Sequence, residues 1–215
     1  MNTSLHYLTR PSSLTENAPL LIMSHGYGSD ENDLFSFAQE LPEELFIISL
    51  RAPYPLPPFG NAWYAINFDA QQNKWNDVEQ AISSRDKIAE FIDYACSTYP
   101  VNQNNVTLLG FSQGTILSYA VALTYPEKVK NIIALSGYIS EDMFPSDLDR
   151  ERLQHLDFYC SHGSVDQVIP IEWARRSPQF LDNLGIKHQY SEYPVGHGVA
   201  PQSFYDFKNW LSSRI

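Results

Sequence analysis

The stretch "GFSQG", Gly110 to Gly114, sets a serine between two glycines at the end of the apolar run "NNVTLLGF" and just ahead of a helical pattern. If Ser112 sits on a sharp turn between a strand ending near Phe111 and a helix starting near Gln113, its backbone is strained and its neighbours are packed very close. Side chains at Gly110 and Gly114 would then collide with the turn. Such a nucleophile elbow holds the hydroxyl at the carboxyl ends of parallel strands, beside helix NH groups that favour developing negative charge. Read in isolation, the five residues also fit a plain glycine-rich turn with an inert serine.

A serine hydroxyl is a weak nucleophile at neutral pH. Ser112 therefore requires an imidazole base and an acid that orients it, in the chain order Ser, then Asp or Glu, then His. His197, in "YPVGHGVAP", follows the last strand pattern and precedes the last helical one, with flanking glycines to let its loop turn over the sheet. Asp166, in "SHGSVDQVIP", falls in a loop just beyond an earlier strand and is placed to accept the imidazole Nδ1 proton. Asp157 is its rival, but it precedes that strand and belongs at the opposite edge. His6, His25, His155, His162 and His188 are the competing histidines, for which structural or surface roles are expected. A tetrahedral intermediate also needs donors to its oxyanion. The backbone NH of Gln113 is one candidate. The NH of Tyr27, in the glycine-flanked loop His25-Gly26-Tyr27-Gly28, is the other.

The elements that must position these residues alternate regularly. "APLLIMSH", "LFIISL", "VTLLGF", "NIIALSG", "DFYCSHG" and "KHQYSEYP" read as short strands, with "LHYLTRP" a weaker one at an antiparallel edge. Between and after them lie "SDENDLFSFAQELPEE", "DVEQAISSRDKIAEFIDYACSTY", "QGTILSYAVALTYPEK", "PIEWARRSPQFLDNLG" and "APQSFYDFKNWLSSRI", whose apolar residues recur at three and four. Strands alternating with helices predict an α/β fold with a mostly parallel sheet covered on both faces, in one domain spanning residues 1–215. Two segments exceed ordinary connection length, 52–76 and 137–155, and are candidate walls of a site.

Composition narrows the partners. The 215 residues include 25 acidic against 14 basic ones, a formal net charge of -11, which repels phosphate backbones and anionic lipid surfaces. Neither nucleic acid nor a stable membrane association is expected. The two cysteines, Cys96 and Cys160, fit buried free thiols rather than a disulfide framework or a zinc site. The N-terminal sequence lacks a basic start followed by an apolar core, so the expected location is cytoplasmic.

Five segments together resemble the phospholipase/carboxylesterase family of α/β-hydrolases, which includes the acyl-protein thioesterases: "HGYGSDENDL", "RAP" at 51–53, "GFSQG", "HGSVDQVIP" and "GHGV". The resemblance covers nearly the whole chain. It implies an α/β-hydrolase fold without a separate cap domain, and hydrolysis of esters or thioesters of short to medium acyl chains with no cofactor or metal. Ser112, Asp166 and His197 match the family's triad, and Tyr27 and Gln113 its oxyanion hole. One departure concerns the substrate: the family often carries Trp-Phe-Asp near the site, where this chain has Trp63-Tyr64-Ala65.

Segment 52–76 carries Phe59, Trp63 and Tyr64 after four prolines, an apolar surface expected to line a substrate pocket or else to cover the sheet edge. Trp63 aligns with the family's tryptophan. The expected substrate is a small-molecule ester or thioester. The same scaffold also serves hydrolysis of carbon-carbon or peptide bonds, and a non-catalytic binding protein could retain it.

Overall fold

The computed structural model describes residues 5–68 and 74–215. In chain order its elements are β1 (Tyr7–Arg10), β2 (Ala18–Ser24), α1 (Asn32–Phe35), β3 (Phe46–Leu50), β4 (Tyr54–Pro55), β5 (Asn61–Ala62), β6 (Ile66–Phe68), β7 (Lys74–Asn76) and α2 (Val78–Thr98). They continue with β8 (Val101–Phe111), α3 (Gln113–Thr124), β9 (Asn131–Leu135), α4 (Arg150–Leu153), β10 (Asp157–Gly163), α5 (Ile171–Ala174), α6 (Arg176–Leu184), β11 (Lys187–Tyr193) and α7 (Pro201–Ser212).

Seven strands form one sheet in the order β1-β3-β2-β8-β9-β10-β11. Every pairing is parallel except that of β1 with β3. β2, β3, β9 and β10 are buried along their whole length, as strands covered on both faces must be. Alternation within the strands divides the core in two. Leu20, Ile22, Leu108 and Ile132 join α2, α3 and α6 in one cluster. Leu21, Met23, Leu109 and Ile133 join Leu34 of α1 and Phe207 and Trp210 of α7 in the other.

Helix α2 starts where the sequence places it, because Asp77 caps it by accepting from Gln80 N at 3.0 Å. Along its apolar face, Ile88, Ile92 and Ala95 are buried, while Val78 and Ile82, nearer its start, are half-buried.

Three expectations differ in extent. The helical pattern after Gly28 yields only α1 and a 3-10 turn over Ser36–Gln39. There the Arg10 guanidinium draws the carbonyls of Ala38, Leu41, Pro42 and Leu45 toward itself, so the chain winds round the cation instead of continuing a helix. The pattern beginning "PIEWARR" is divided at Arg175 into α5 and α6, and Gly185 ends the latter in the left-handed region, φ 71°. β8 begins at Val101, five residues before the apolar run that signals it, because the polar Asn102–Asn105 segment carries no strand periodicity.

Of the two long segments, 52–76 forms the small antiparallel pairs β4–β5 and β6–β7 beside the carboxyl end of the sheet. No helix among the described residues is long and apolar enough to cross a membrane.

Candidate active site

The strand-to-helix turn between β8 and α3 is as sharp as the glycine spacing implies. Ser112 has φ 54° and ψ -116°, a conformation that costs an L-residue energy and persists only when its surroundings fix it. They do so by backbone contact. A Cβ added at Gly110 would lie 2.4 Å from the carbonyl of Gly114, and one at Gly114 would lie 1.9 Å from Ser24 O. Ser112 N donates to Leu135 O at 3.0 Å, and the Thr115 hydroxyl lies 2.6 Å from both Gly110 O and Leu135 O, sharing its one proton between them. The turn is thereby fastened to β9 as well as to β2.

The loop after β11 carries His197 over the sheet, with Nε2 3.0 Å from Ser112 Oγ and Nδ1 2.7 Å from Asp166 Oδ2. Its flanking glycines are not what the close approach requires, since a Cβ at Gly196 or Gly198 meets nothing within 4 Å. The tight contact is at Gly163, the last residue of β10, where a Cβ would lie 2.2 Å from Gly196 O.

Asp166 is buried in the loop after β10, and its Oδ1 accepts from Val168 N at 2.8 Å and Ile169 N at 2.9 Å. Burial alone would raise its carboxyl pKa. The hydrogen bonds with His197, Ile169 and Val168 outweigh that and hold it below the ordinary carboxylate value. Asp157, the rival acid, starts β10 at the opposite end of the sheet, 2.6 Å from Lys187 Nζ and 3.0 Å from Arg214 Nε.

Gly26 packs against the elbow, since a Cβ there would be 3.3 Å from Ser112 Cβ. His25 sets how the next peptide faces. Its ring is buried, Nδ1 lies 2.7 Å from Gly26 O, and Nε2 accepts from Ala52 N at 3.1 Å, which leaves the proton on Nδ1. Burial lowers the His25 pKa, in keeping with that neutral form. In a trans peptide the carbonyl and the following NH point opposite ways, so holding Gly26 O on the His25 side turns Tyr27 NH outward from it. Gln113 is the first residue of α3, and its NH has no intrahelical acceptor. Tyr27, Ser112, Gln113 and His197 line one cavity of about 380 Å³.

The rest of that cavity corrects part of the substrate reading. Tyr64 lines it, together with Ile66, Ile116, Tyr138 and Trp173. Trp63 does not: it is fully buried, its Nε1 donates to His25 O at 2.9 Å, and its ring leans on the His25 ring at 5.7 Å. Phe59 is 85% exposed and outside the lining, at the apex of a turn closed by Leu56 N donating to Gly60 O.

The reason lies in a clamp that local sequence does not reveal. Gln113 Oε1 accepts from Trp63 N at 3.0 Å, and its Nε2 donates to Tyr64 O at 2.9 Å. Ser84 of α2 donates to Trp63 O, and Gln80 accepts from Ala65 N. Drawn down on the elbow, the segment buries Trp63 beneath the His25 loop and offers Tyr64 to the cavity.

A neighbouring cavity of about 410 Å³ shares only Tyr138 and Trp173 with the first. These two rings meet edge to face at 5.3 Å and form the partition. Segment 137–155, expected as a wall, supplies Tyr138. Trp173 comes from α5, which the sequence offers only as the start of a helix.

A parallel sheet with a strained serine at a strand-to-helix turn, followed along the chain by an acid and then a histidine, defines an α/β-hydrolase. The sequence matches the phospholipase/carboxylesterase family model over residues 11–215. The chain belongs to that family and is a hydrolase of carboxylesterase and thioesterase type.

An acyl-protein thioesterase 1 of Yarrowia lipolytica is 26% identical over 220 residues, 95% of either chain. A probable carboxylesterase of Oryza sativa subsp. japonica is 27% identical over 112 residues, 52% of this chain and 42% of that one. The carboxylesterase of Bacillus cereus superposes with a TM-score of 0.84 at 19% identity, covering 100% of this chain and 96% of its own.

Proposed function

We propose that the protein hydrolyses carboxylic esters or thioesters of short to medium acyl chains through an acyl-enzyme on Ser112. The observation that carries this reading is the pair of contacts at His197, 3.0 Å to Ser112 Oγ and 2.7 Å to Asp166 Oδ2. His197 Nε2 takes the Ser112 proton as Oγ attacks the acyl carbonyl, and Asp166 stabilises the imidazolium that forms. The NH groups of Tyr27 and Gln113 receive the oxyanion, each contributing about 3 kcal/mol to the transition state. The imidazolium then protonates the departing alcohol or thiol as the tetrahedral intermediate collapses. Water, activated by the same imidazole, releases the acid.

Chain length follows from the walls. The cavity of about 380 Å³ is mainly apolar and is closed on one side by Tyr138 and Trp173, which suits short to medium chains. A cytoplasmic setting accords with the free thiols of Cys96 and Cys160.

The test is labelling by a fluorophosphonate with mapping of the adduct, beside a p-nitrophenyl ester series from acetate to decanoate and a matched acyl thioester series. Labelling at Ser112 with a chain-length optimum is expected, and Ser112→Ala should lose nearly all turnover while remaining folded. Turnover retained in that variant refutes the nucleophile. Labelling without ester or thioester turnover points instead to another bond, and absence of labelling to a binding protein on this scaffold.

A further inference from the structure

Among the described residues, His162 is the one histidine besides His197 that reaches the acid, and the proposed mechanism leaves it unused. It is the penultimate residue of β10, and its side chain is fully buried. Nε2 lies 2.9 Å from Ile169 O and 3.3 Å from Asp166 Oδ2. Nδ1 is buried with no hydrogen-bond partner among the described residues. Both acceptors are therefore at one nitrogen, and the proton of the neutral ring belongs on Nε2. The other nitrogen keeps a lone pair that nothing satisfies, a cost that packing alone would remove by placing an apolar residue there.

The geometry of the acid shows what the ring accomplishes. An ionised carboxylate offers about four acceptor positions. Oδ1 of Asp166 takes two backbone donors, Val168 N and Ile169 N, and Oδ2 takes His197 Nδ1. His162 Nε2 lies 3.3 Å from that same oxygen, on the side where the remaining position is, while its short contact is with Ile169 O. By reaching Ile169 O as well, the ring spans the two ends of the loop that carries Asp166 and braces the residue whose NH holds Oδ1. Across the sheet Glu192 pairs in register with His162 but is itself engaged by Arg175 at 2.7 and 2.9 Å.

We propose that His162 is a positioning residue of the triad: it donates from Nε2 to Ile169 O and Asp166 Oδ2, fixing the carboxylate against His197. This rests on the hydrolytic reading above, and the experiment separates the two. In ¹⁵N-resolved NMR of the unmodified protein, His162 should be the Nε2–H tautomer with a proton slow to exchange. A downfield proton should mark the His197–Asp166 bond. A His162 proton on Nδ1 overturns the proposal, whatever the enzyme hydrolyses.

Kinetically, His162→Leu should lower kcat about tenfold to a hundredfold, the worth of one hydrogen bond to a charged group, with KM little changed. The downfield proton should broaden or vanish. His162→Gln, whose amide can donate from nearly the same place, should recover most of kcat and that resonance. Unchanged kcat in His162→Leu overturns the proposal, as does a folded His162→Gln no faster than the leucine variant. If the unmodified protein turns over no ester or thioester, the hydrolytic reading fails while the NMR result still judges the placement of His162.

Discussion

Gly114→Ala measures how strictly backbone contact holds the elbow. The added Cβ would lie 1.9 Å from Ser24 O, 2.5 Å from Ser24 C and 2.8 Å from His25 O. Carbon approaches a carbonyl oxygen no closer than about 3.3 Å without strain, so the start of α3 and the end of β2 must part by roughly 1.4 Å. β2 cannot retreat, because Ser24 is paired with Leu50 on one side and Gly110 on the other. The displacement falls instead on Ser112, Gln113 and the His25–Tyr27 loop, separating the two proposed oxyanion donors.

In stability the effects partly cancel. Helix propensity favours alanine by about 1 kcal/mol, and overpacking costs about 1–3 kcal/mol, leaving a net loss of about 1 kcal/mol. That lowers Tm by only about 2–4 °C in a chain of this size. Catalysis has no such offset, since a misplacement of about 1 Å costs on the order of a hundredfold. The expected result is a fall in kcat/KM for p-nitrophenyl acetate of about a hundredfold or more in a protein still folded at the assay temperature. A thermal melt run beside the kinetics decides the matter. Wild-type kcat/KM, or a loss explained wholly by unfolding, refutes the reasoning.

Asp166→Asn puts an amide where His197 Nδ1 needs a carboxylate; by analogy with other triads kcat should fall about 10⁴-fold with KM nearly unchanged, in steady-state kinetics on any good ester. Trp173→Ala removes half of the partition between the cavities of about 380 and 410 Å³, so the optimum of the p-nitrophenyl series should move to longer chains while labelling of Ser112 continues. An unmoved optimum refutes that wall. Acid stability follows from depressed carboxyl pKa values: at Glu31 the hydrogen bond from Arg51 is the main cause, and at Asp166 the hydrogen bonds outweigh burial. Their contribution is complete above the unfolded carboxylate pKa, about 4, and is lost as pH falls through the lower folded values. Tm should therefore hold down to about pH 4 and drop below it.

The parts of the molecule legible in the sequence are those fixed by short-range constraints. β2, β3, β9 and β10 read as strands because burial on both faces leaves them uniformly apolar. Ser112 was legible because an elbow demands glycine two residues to either side, and Asp166 and His197 because each follows a strand at the same sheet edge. What escaped depends on partners far along the chain. Nothing near residue 63 announces that Gln113, fifty positions later, will seize its backbone, so the aromatics after a proline-rich run read alike, as pocket surface or as cover for the sheet edge. Trp63 became core, Tyr64 wall and Phe59 surface. His162 is the exception, only four positions before Asp166, but nothing beside it in the sequence says that its ring turns toward the acid; the shortening of α1 comes from an arginine in β1.

The clamp from Gln113 has a consequence for how the substrate range can change. The residue proposed to stabilise the oxyanion through its NH also grips Trp63 and Tyr64 through its amide, so nucleophile and inner wall share one mechanical reference. Thermal expansion or a shift of α3 carries both together, and the distance from reacting atom to wall is preserved. The price is that this wall cannot be reshaped without disturbing the chemistry. Evolution toward other substrates, natural or in the laboratory, is left with residues such as Ile66, Tyr138 and Trp173, which border the same cavity from elements that the elbow does not hold.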